Sequence, residues 1–76
     1  AHNCIIRKGA LISACVEISG GVDVGEYSWI GPNSSVVQKI KIGKKSFVGI
    51  ASNVTKSVND GVSVAGNPAK VIKKKN

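Results

Sequence analysis

From Ile6 onward, every sixth residue of this chain is isoleucine or valine: Ile6, Ile12, Ile18, Val24, Ile30, Val36, Ile42, Val48 and Val54. Two residues before each stand Cys4, Ala10, Val16, Val22, Ser28, Ser34, Ile40, Ser46 and Ser52, most of them small. Directly after each come Arg7, Ser13, Ser19, Gly25, Gly31, Val37, Gly43, Gly49 and Thr55. An α-helix spaces apolar residues three and four apart and an amphipathic strand alternates without a break, so neither produces a period of six. A short strand followed by a corner does. The β-branched residue then points inward with the small residue packed beside it. Glycine after the inward residue suits a corner that needs unusual backbone angles.

Three such strands close a triangular coil of 18 residues, and successive coils stack as parallel strands about 4.8 Å apart. The expected fold is all-β, a parallel β-helix of hexapeptide repeats with about three coils, followed by a C-terminal extension. Residues 18 apart come into register, so Ile6, Val24 and Ile42 form one interior ladder, Ile12, Ile30 and Val48 a second, and Ile18, Val36 and Val54 a third. The repeat stops after Val54, because the next position is Asp60 within the turn signal Asn59-Asp60-Gly61. Residues 1–58 are therefore read as coils. Residues 59–76 are read as a turn, a strand, a Gly66-Asn67-Pro68 turn and a basic tail of the same domain.

A chain of 76 residues is one small domain whose core needs help from disulfides, metal or self-association. Cys4 and Cys15 stand in no metal-like spacing, and a single histidine, His2, does not complete a zinc site. Free thiols, a reducing compartment, no metal and an association of copies are expected. No charged-then-apolar leader and no apolar run long enough for a membrane span occurs in these residues, which points to a cytoplasmic protein with no membrane partner. The first residue is Ala rather than Met, so the chain reads as a piece of something longer.

The net charge of +7 is unevenly placed: residues 39–76 hold every lysine except Lys8, with Asp60 as their only acidic residue. Such a bias suits a polyanionic partner, nucleic acid or a phosphorylated cofactor, or else a solvated face. Tyr27, Trp29 and Phe47 are too few for a nucleic-acid stacking platform, and no recognition helix is apparent, so nucleic acid is set aside. Lys70, Lys73, Lys74 and Lys75 either meet the phosphates of a cofactor as point charges or form a solvated tail.

The residues two places after each inward position sort into three corner columns. Lys8, Glu26 and Lys44 alternate in sign. Ala14, Pro32 and Ile50 are apolar, and suit either a long narrow ligand lying along the coil edge or a neighbouring subunit. His2, Gly20, Gln38 and Lys56 form the third column. Trp29 precedes an inward isoleucine and so points outward, where a subunit interface suits it.

The stretches "HNCIIRKGA", "SGGVDVGEYSWIG", "IKIGKKSFVGIASNVTKSV" and "VAGNPAKVI" resemble the catalytic and C-terminal half of the hexapeptide-repeat sugar acetyltransferases. The nearest subgroup is the sialic acid O-acetyltransferase and nucleotide-linked aminosugar N-acetyltransferase family. The resemblance implies a left-handed helix, a homotrimer, and acetyl-CoA bound between neighbouring subunits. Residue by residue, it places His2 as the general base and Asn3 where the family generally has the Asp or Glu that orients it. Pro32 and Ile50, with Gly31 and Gly49 before them, fall where the corner backbone contacts acetyl-CoA. Leu11 falls on a second family histidine near the thioester. The candidate catalytic residues are thus His2 and Asn3, and the candidate cofactor-binding residues Leu11, Gly31, Pro32, Gly49, Ile50 and Lys70. The reaction implied is acetyl transfer to an amine or hydroxyl of a sugar or nucleotide sugar. The alternative is a trimerising module without catalysis, favoured by Asn3 and Leu11.

Overall fold

The structure, a computed structural model, describes residues 3–74. Each hexad forms a two-residue strand, and every third strand stacks on the same face. One face holds β1 (Ile5–Ile6), β4 (Asp23–Val24) and β7 (Lys41–Ile42). The second holds β2 (Leu11–Ile12), β5 (Trp29–Ile30) and β8 (Phe47–Val48), and the third β3 (Glu17–Ile18), β6 (Ser35–Val36) and β9 (Asn53–Val54). All these pairs are parallel with an 18-residue step, so Ile6, Val24 and Ile42 stack as expected, and the other two ladders likewise. Val24, Ile30, Val36, Ile42, Val48 and Val54 are fully buried. Ile6 remains 47% exposed because β1, β2 and β3 are edge strands with no coil stacked beneath them.

Small residues beside the inward ladder do more than fill space. Ser28, Ser34, Ser46 and Ser52 are all buried, and each hydroxyl donates to a carbonyl at a turn: Ser28 and Ser52 to Gly25 and Gly49 within their own hexads, and Ser34 and Ser46 to Gly49 and Asn59 of the next coil. A buried hydroxyl needs such a partner.

The corner glycines have a different cause from the one expected. Backbone in the left-handed region lies three residues before each inward position from Ile6 to Val54, at Asn3, Gly9, Cys15, Gly21, Tyr27, Asn33, Lys39, Lys45 and Ala51. Most of these are not glycine. The glycines directly after the inward residue do not have positive φ, but a Cβ there would strike the next coil. At Gly25 it would lie 2.5 Å from the amide nitrogen of Lys44, and at Gly43 2.5 Å from that of Asp60. Close stacking of corner on corner, not backbone angle, requires them.

The six-residue spacing does end after Val54, yet the stacking continues. Val58 bridges Ile42 in parallel, and β10 (Val62–Gly66) lays Ser63 on Phe47 and Val64 on Val48. The step from one coil to the next has shortened from 18 to 16 residues, so the inward positions are Val58 and Val64 rather than residue 60. Side chains stand in for the two missing residues. Ser57 Oγ accepts from the amide of Lys41, and Asp60 Oδ1 accepts from the amide of Lys44 at 2.9 Å. The left-handed residue resumes at Gly61, three after Val58. The chain then turns through a cis Asn67-Pro68 bond into β11 (Ala69–Lys74), antiparallel to β10, which makes the second face a five-stranded sheet. Among the described residues no helix is long and apolar enough to cross a membrane.

Candidate functional site

The three outer faces differ in chemistry. The first presents Ile5, Asp23 and Lys41 in register and the third Glu17, Ser35 and Asn53. The second presents Leu11, Trp29 and Phe47, and the rings of Trp29 and Phe47 stack with centroids 4.5 Å apart. Leu11 is 65% exposed. An exposed apolar ladder on one face only is the feature that marks a surface for burial against another molecule.

That face runs between two corners. The corner after it carries Ala14, Pro32 and Ile50, stacked as the spacing implies: the amide of Asn33 donates to the Ala14 carbonyl and that of Ala51 to the Pro32 carbonyl. Gly31 and Gly49 are buried beneath it, and their amides donate to Val48 and Val64. A Cβ on Gly31 would stand 2.9 Å from the Ile50 nitrogen, so bare glycine keeps this edge narrow. Pro32 is half-buried and has no N–H to offer, whereas Ile50 is 67% exposed, and its peptide N–H bonds nothing within the described residues. The edge thus pairs an uncharged apolar rim with a free backbone donor at its C-terminal end.

The corner before the face is charged. Arg7 donates from Nε and Nη2 to the two carboxylate oxygens of Asp23, each at 2.8 Å. This hydrogen-bonded pairing holds the Asp23 carboxyl below its usual range and raises the Arg7 guanidinium further. A cleft of about 280 Å3 opens here, lined by Arg7, Gly25, Glu26, Lys41, Lys44 and Asp60. Lys41, in register with Asp23, adds a smaller electrostatic pull on that carboxyl, and Lys44 makes no ion pair among the described residues. Sequence reasoning passed over Lys41 and treated Lys44 as part of an alternating column. The outward column Ile5, Asp23 and Lys41, read beside Lys8, Glu26 and Lys44, carries the signal that brings them together.

The remaining candidates are scattered. His2 and Lys75 lie outside the described residues. Asn3 is exposed and occupies the first left-handed position, with φ of 58°. Leu11 lies on the apolar face in register with Trp29. Lys70 is on β11, where with Lys56, Ser57 and the side chains of Val54, Val58, Val64, Ala69 and Val71 it lines a separate cleft of about 350 Å3 at the C-terminal end. Among the described residues no group of three or more His, Cys, Asp or Glu side chains is placed to hold a metal. Cys15 is a free, exposed thiol, and Cys4 Sγ donates to the Ser19 carbonyl.

No protein-family model matches the chain. It is 32% identical over 68 residues to an acyl-[acyl-carrier-protein]–UDP-N-acetylglucosamine O-acyltransferase of Burkholderia orbicola, covering 90% of this chain and 26% of that protein. The acetyltransferase domain of PglB from Neisseria gonorrhoeae, solved with acetyl coenzyme A, superposes with a TM-score of 0.92 at 32% identity over 93% of this chain and 35% of that one. A variant of perosamine N-acetyltransferase from Caulobacter crescentus, solved with CoA and GDP-perosamine, superposes with a TM-score of 0.92 at 28% identity over 93% of this chain and 34% of that one. The chain therefore spans about a quarter of the curated relative and about a third of the solved ones. The shared fold is the left-handed parallel β-helix.

Proposed function

We propose that this chain, whose relatives in sequence and structure are hexapeptide-repeat acyltransferases, is the β-helical part of a cytoplasmic, homotrimeric acetyltransferase. It transfers the acetyl group of acetyl-CoA to an amine or hydroxyl of a sugar or nucleotide sugar. Subunits pack through the Leu11, Trp29 and Phe47 face, and acetyl-CoA lies along the adjoining edge of Ala14, Pro32 and Ile50. The observation that carries this reading is the edge itself. It is narrow because Gly31 and Gly49 lack a Cβ, it is uncharged, and it ends in the free Ile50 amide, a donor suited to an amide carbonyl of the pantetheine arm.

The acceptor nitrogen or oxygen attacks the thioester carbonyl carbon while His2 removes its proton. The carbon–sulfur bond then breaks, and the thiolate of CoA leaves and takes up a proton. Holding the two substrates in line supplies much of the rate, and general-base assistance contributes about 10²–10⁴-fold. Asn3 follows His2 in sequence where the family generally has Asp or Glu, and it brings no negative charge to that position. Leu11 gives the thioester end an apolar wall, and Lys70 is available to a phosphate.

A second reading, a trimerising module without catalysis, is favoured by the continuity of Leu11 with Trp29 and Phe47, since the three read as one packing surface. Calorimetric titration of the trimeric protein with acetyl-CoA separates the two. Binding that Pro32→Glu abolishes, with the trimer intact, supports the transferase. An absence of binding by the folded wild-type trimer leaves the module.

A further inference from the structure

The fourth coil covers two faces of the prism and leaves the third open. In the first two coils the amides one residue before and one residue after each inward position donate to carbonyls of the next coil, as Ser35 and Val37 donate to Ser52 and Val54. At the C-terminal end the first face keeps this arrangement, because Ser57 Oγ and the Val58 carbonyl accept from Lys41 and Gly43, and the second face keeps it through β10. β9 has no such neighbour. It ends its sheet, since the chain reverses into β11 rather than laying a strand on it. The amides of Asn53 and Thr55, equivalent to those of Ser35 and Val37, therefore have no acceptor among the described residues. Only the side chain of Asn53 is engaged: its Nδ2 donates to Asn67 Oδ1 at 3.1 Å, which holds the turn before β11 beside this edge.

The same end of the prism carries the cleft of about 350 Å3. Val54, Val58 and Val64, the last inward residue of each face, line it together with Ala69 and Val71 of β11. Its charged residues are Lys56 and Lys70, both exposed; no lining residue is acidic, and neither lysine makes an ion pair among the described residues. Backbone donors left open beside an apolar cleft are what an added strand satisfies, with main-chain hydrogen bonds giving affinity and the pocket giving specificity. We propose that the C-terminal end of the third face takes up an extended, acidic segment of a partner polypeptide as a parallel strand beside β9. Carbonyls of that segment accept from the Asn53 and Thr55 amides, an apolar side chain extends the ladder of Ile18, Val36 and Val54 into the cleft, and flanking carboxylates meet Lys56 and Lys70. A second copy of this chain is unsuited to the place, because its exposed strand β11 carries Lys70, Lys73 and Lys74, of the same sign as the cleft. Such a site stands whether or not the chain transfers acetyl groups.

The test is fluorescence-anisotropy titration of the full chain with two labelled, end-capped peptides, one alternating glutamate with valine and the other lysine with valine, joined to hydrogen exchange. The glutamate peptide binds and slows exchange at Asn53 and Thr55, and leaves the Ile50 amide, also free within the chain, as it was. The doubly substituted Lys56→Glu/Lys70→Glu protein binds that peptide about tenfold more weakly and accepts the lysine peptide instead. Thr55→Pro removes a donor that bonds nothing within the chain, so binding is lost while the urea midpoint is kept. Wild-type protein that binds neither peptide, binds both equally, or binds the glutamate peptide without protecting Asn53 and Thr55 overturns the inference. So does protection of those two amides by acetyl-CoA, which would give the cleft to the cofactor, or by raised protein concentration alone, which would give it to a second copy.

Discussion

The amide nitrogen of Ile50 lies 2.9 Å from the point at which a Cβ on Gly31 would stand. Two residues from successive coils thus touch at the corner where a ligand is proposed to lie. The contact is with backbone, which cannot swing aside as a side chain does.

Gly31→Ala forces the coil stack apart at this corner. The expected cost is about 1–3 kcal/mol, the range for inserting a methyl group into a packed site, read by chemical denaturation. Because the displaced group is the free Ile50 amide, acetyl-CoA affinity falls in protein that is still folded. An alanine variant with wild-type stability would mean that the corners are not in contact.

Ser34 is buried, donates to the Gly49 carbonyl and accepts from the Ser52 amide. Ser34→Ala leaves both groups without that partner in a dry interior and costs about 1–3 kcal/mol. Alanine fills the same position at Ala10 in the half-buried first coil, so Ala10→Ser changes stability by no more than about 0.5 kcal/mol. Equal effects at the two positions would contradict the assignment of the serine ladder.

The Arg7–Asp23 pair gives stability a defined pH dependence. Its folded carboxyl titrates below the unfolded value of about 4, so the contribution is fully present above that value. It is lost as pH falls through the depressed folded value. Both groups are partly in solvent, so the effect is small. Urea midpoints of wild type and Asp23→Asn, separated at pH 7, converge on acidification to pH 2. A gap that persists at pH 2 would assign the loss to packing instead.

Asp60 replaces a turn of backbone that the shortened fourth coil lacks. Asp60→Ala removes the acceptor for the Lys44 amide and destabilises by about 0.5–2 kcal/mol, the range for losing a side chain that caps backbone donors. Hydrogen exchange at Lys44 accelerates more than at Gly31, whose acceptor is Val48. Uniform acceleration along the chain would show that Asp60 has no local role.

The sequence alone determined the three interior ladders, their 18-residue register, and the order of the charged and apolar corner columns. Period-six spacing of Ile and Val permits no other stacking, and the columns follow by counting. It was also enough to separate the apolar edge at Pro32 and Ile50 from its neighbours. The tertiary structure decided what depends on distances between coils. Gly25, Gly31 and Gly43 are glycine because another coil's backbone lies within 3 Å of where their Cβ would be, a contact that no reading along one coil contains. Val58 and Val64 resume the ladders two residues early because Ser57 and Asp60 supply the missing acceptors, and a count by sixes steps past them. Lys41 and Lys44 share a cleft with Arg7 because outward and corner columns from three coils converge there. Periodicity records which residues stack; it does not record which columns, a turn apart in sequence, come to face the same solvent.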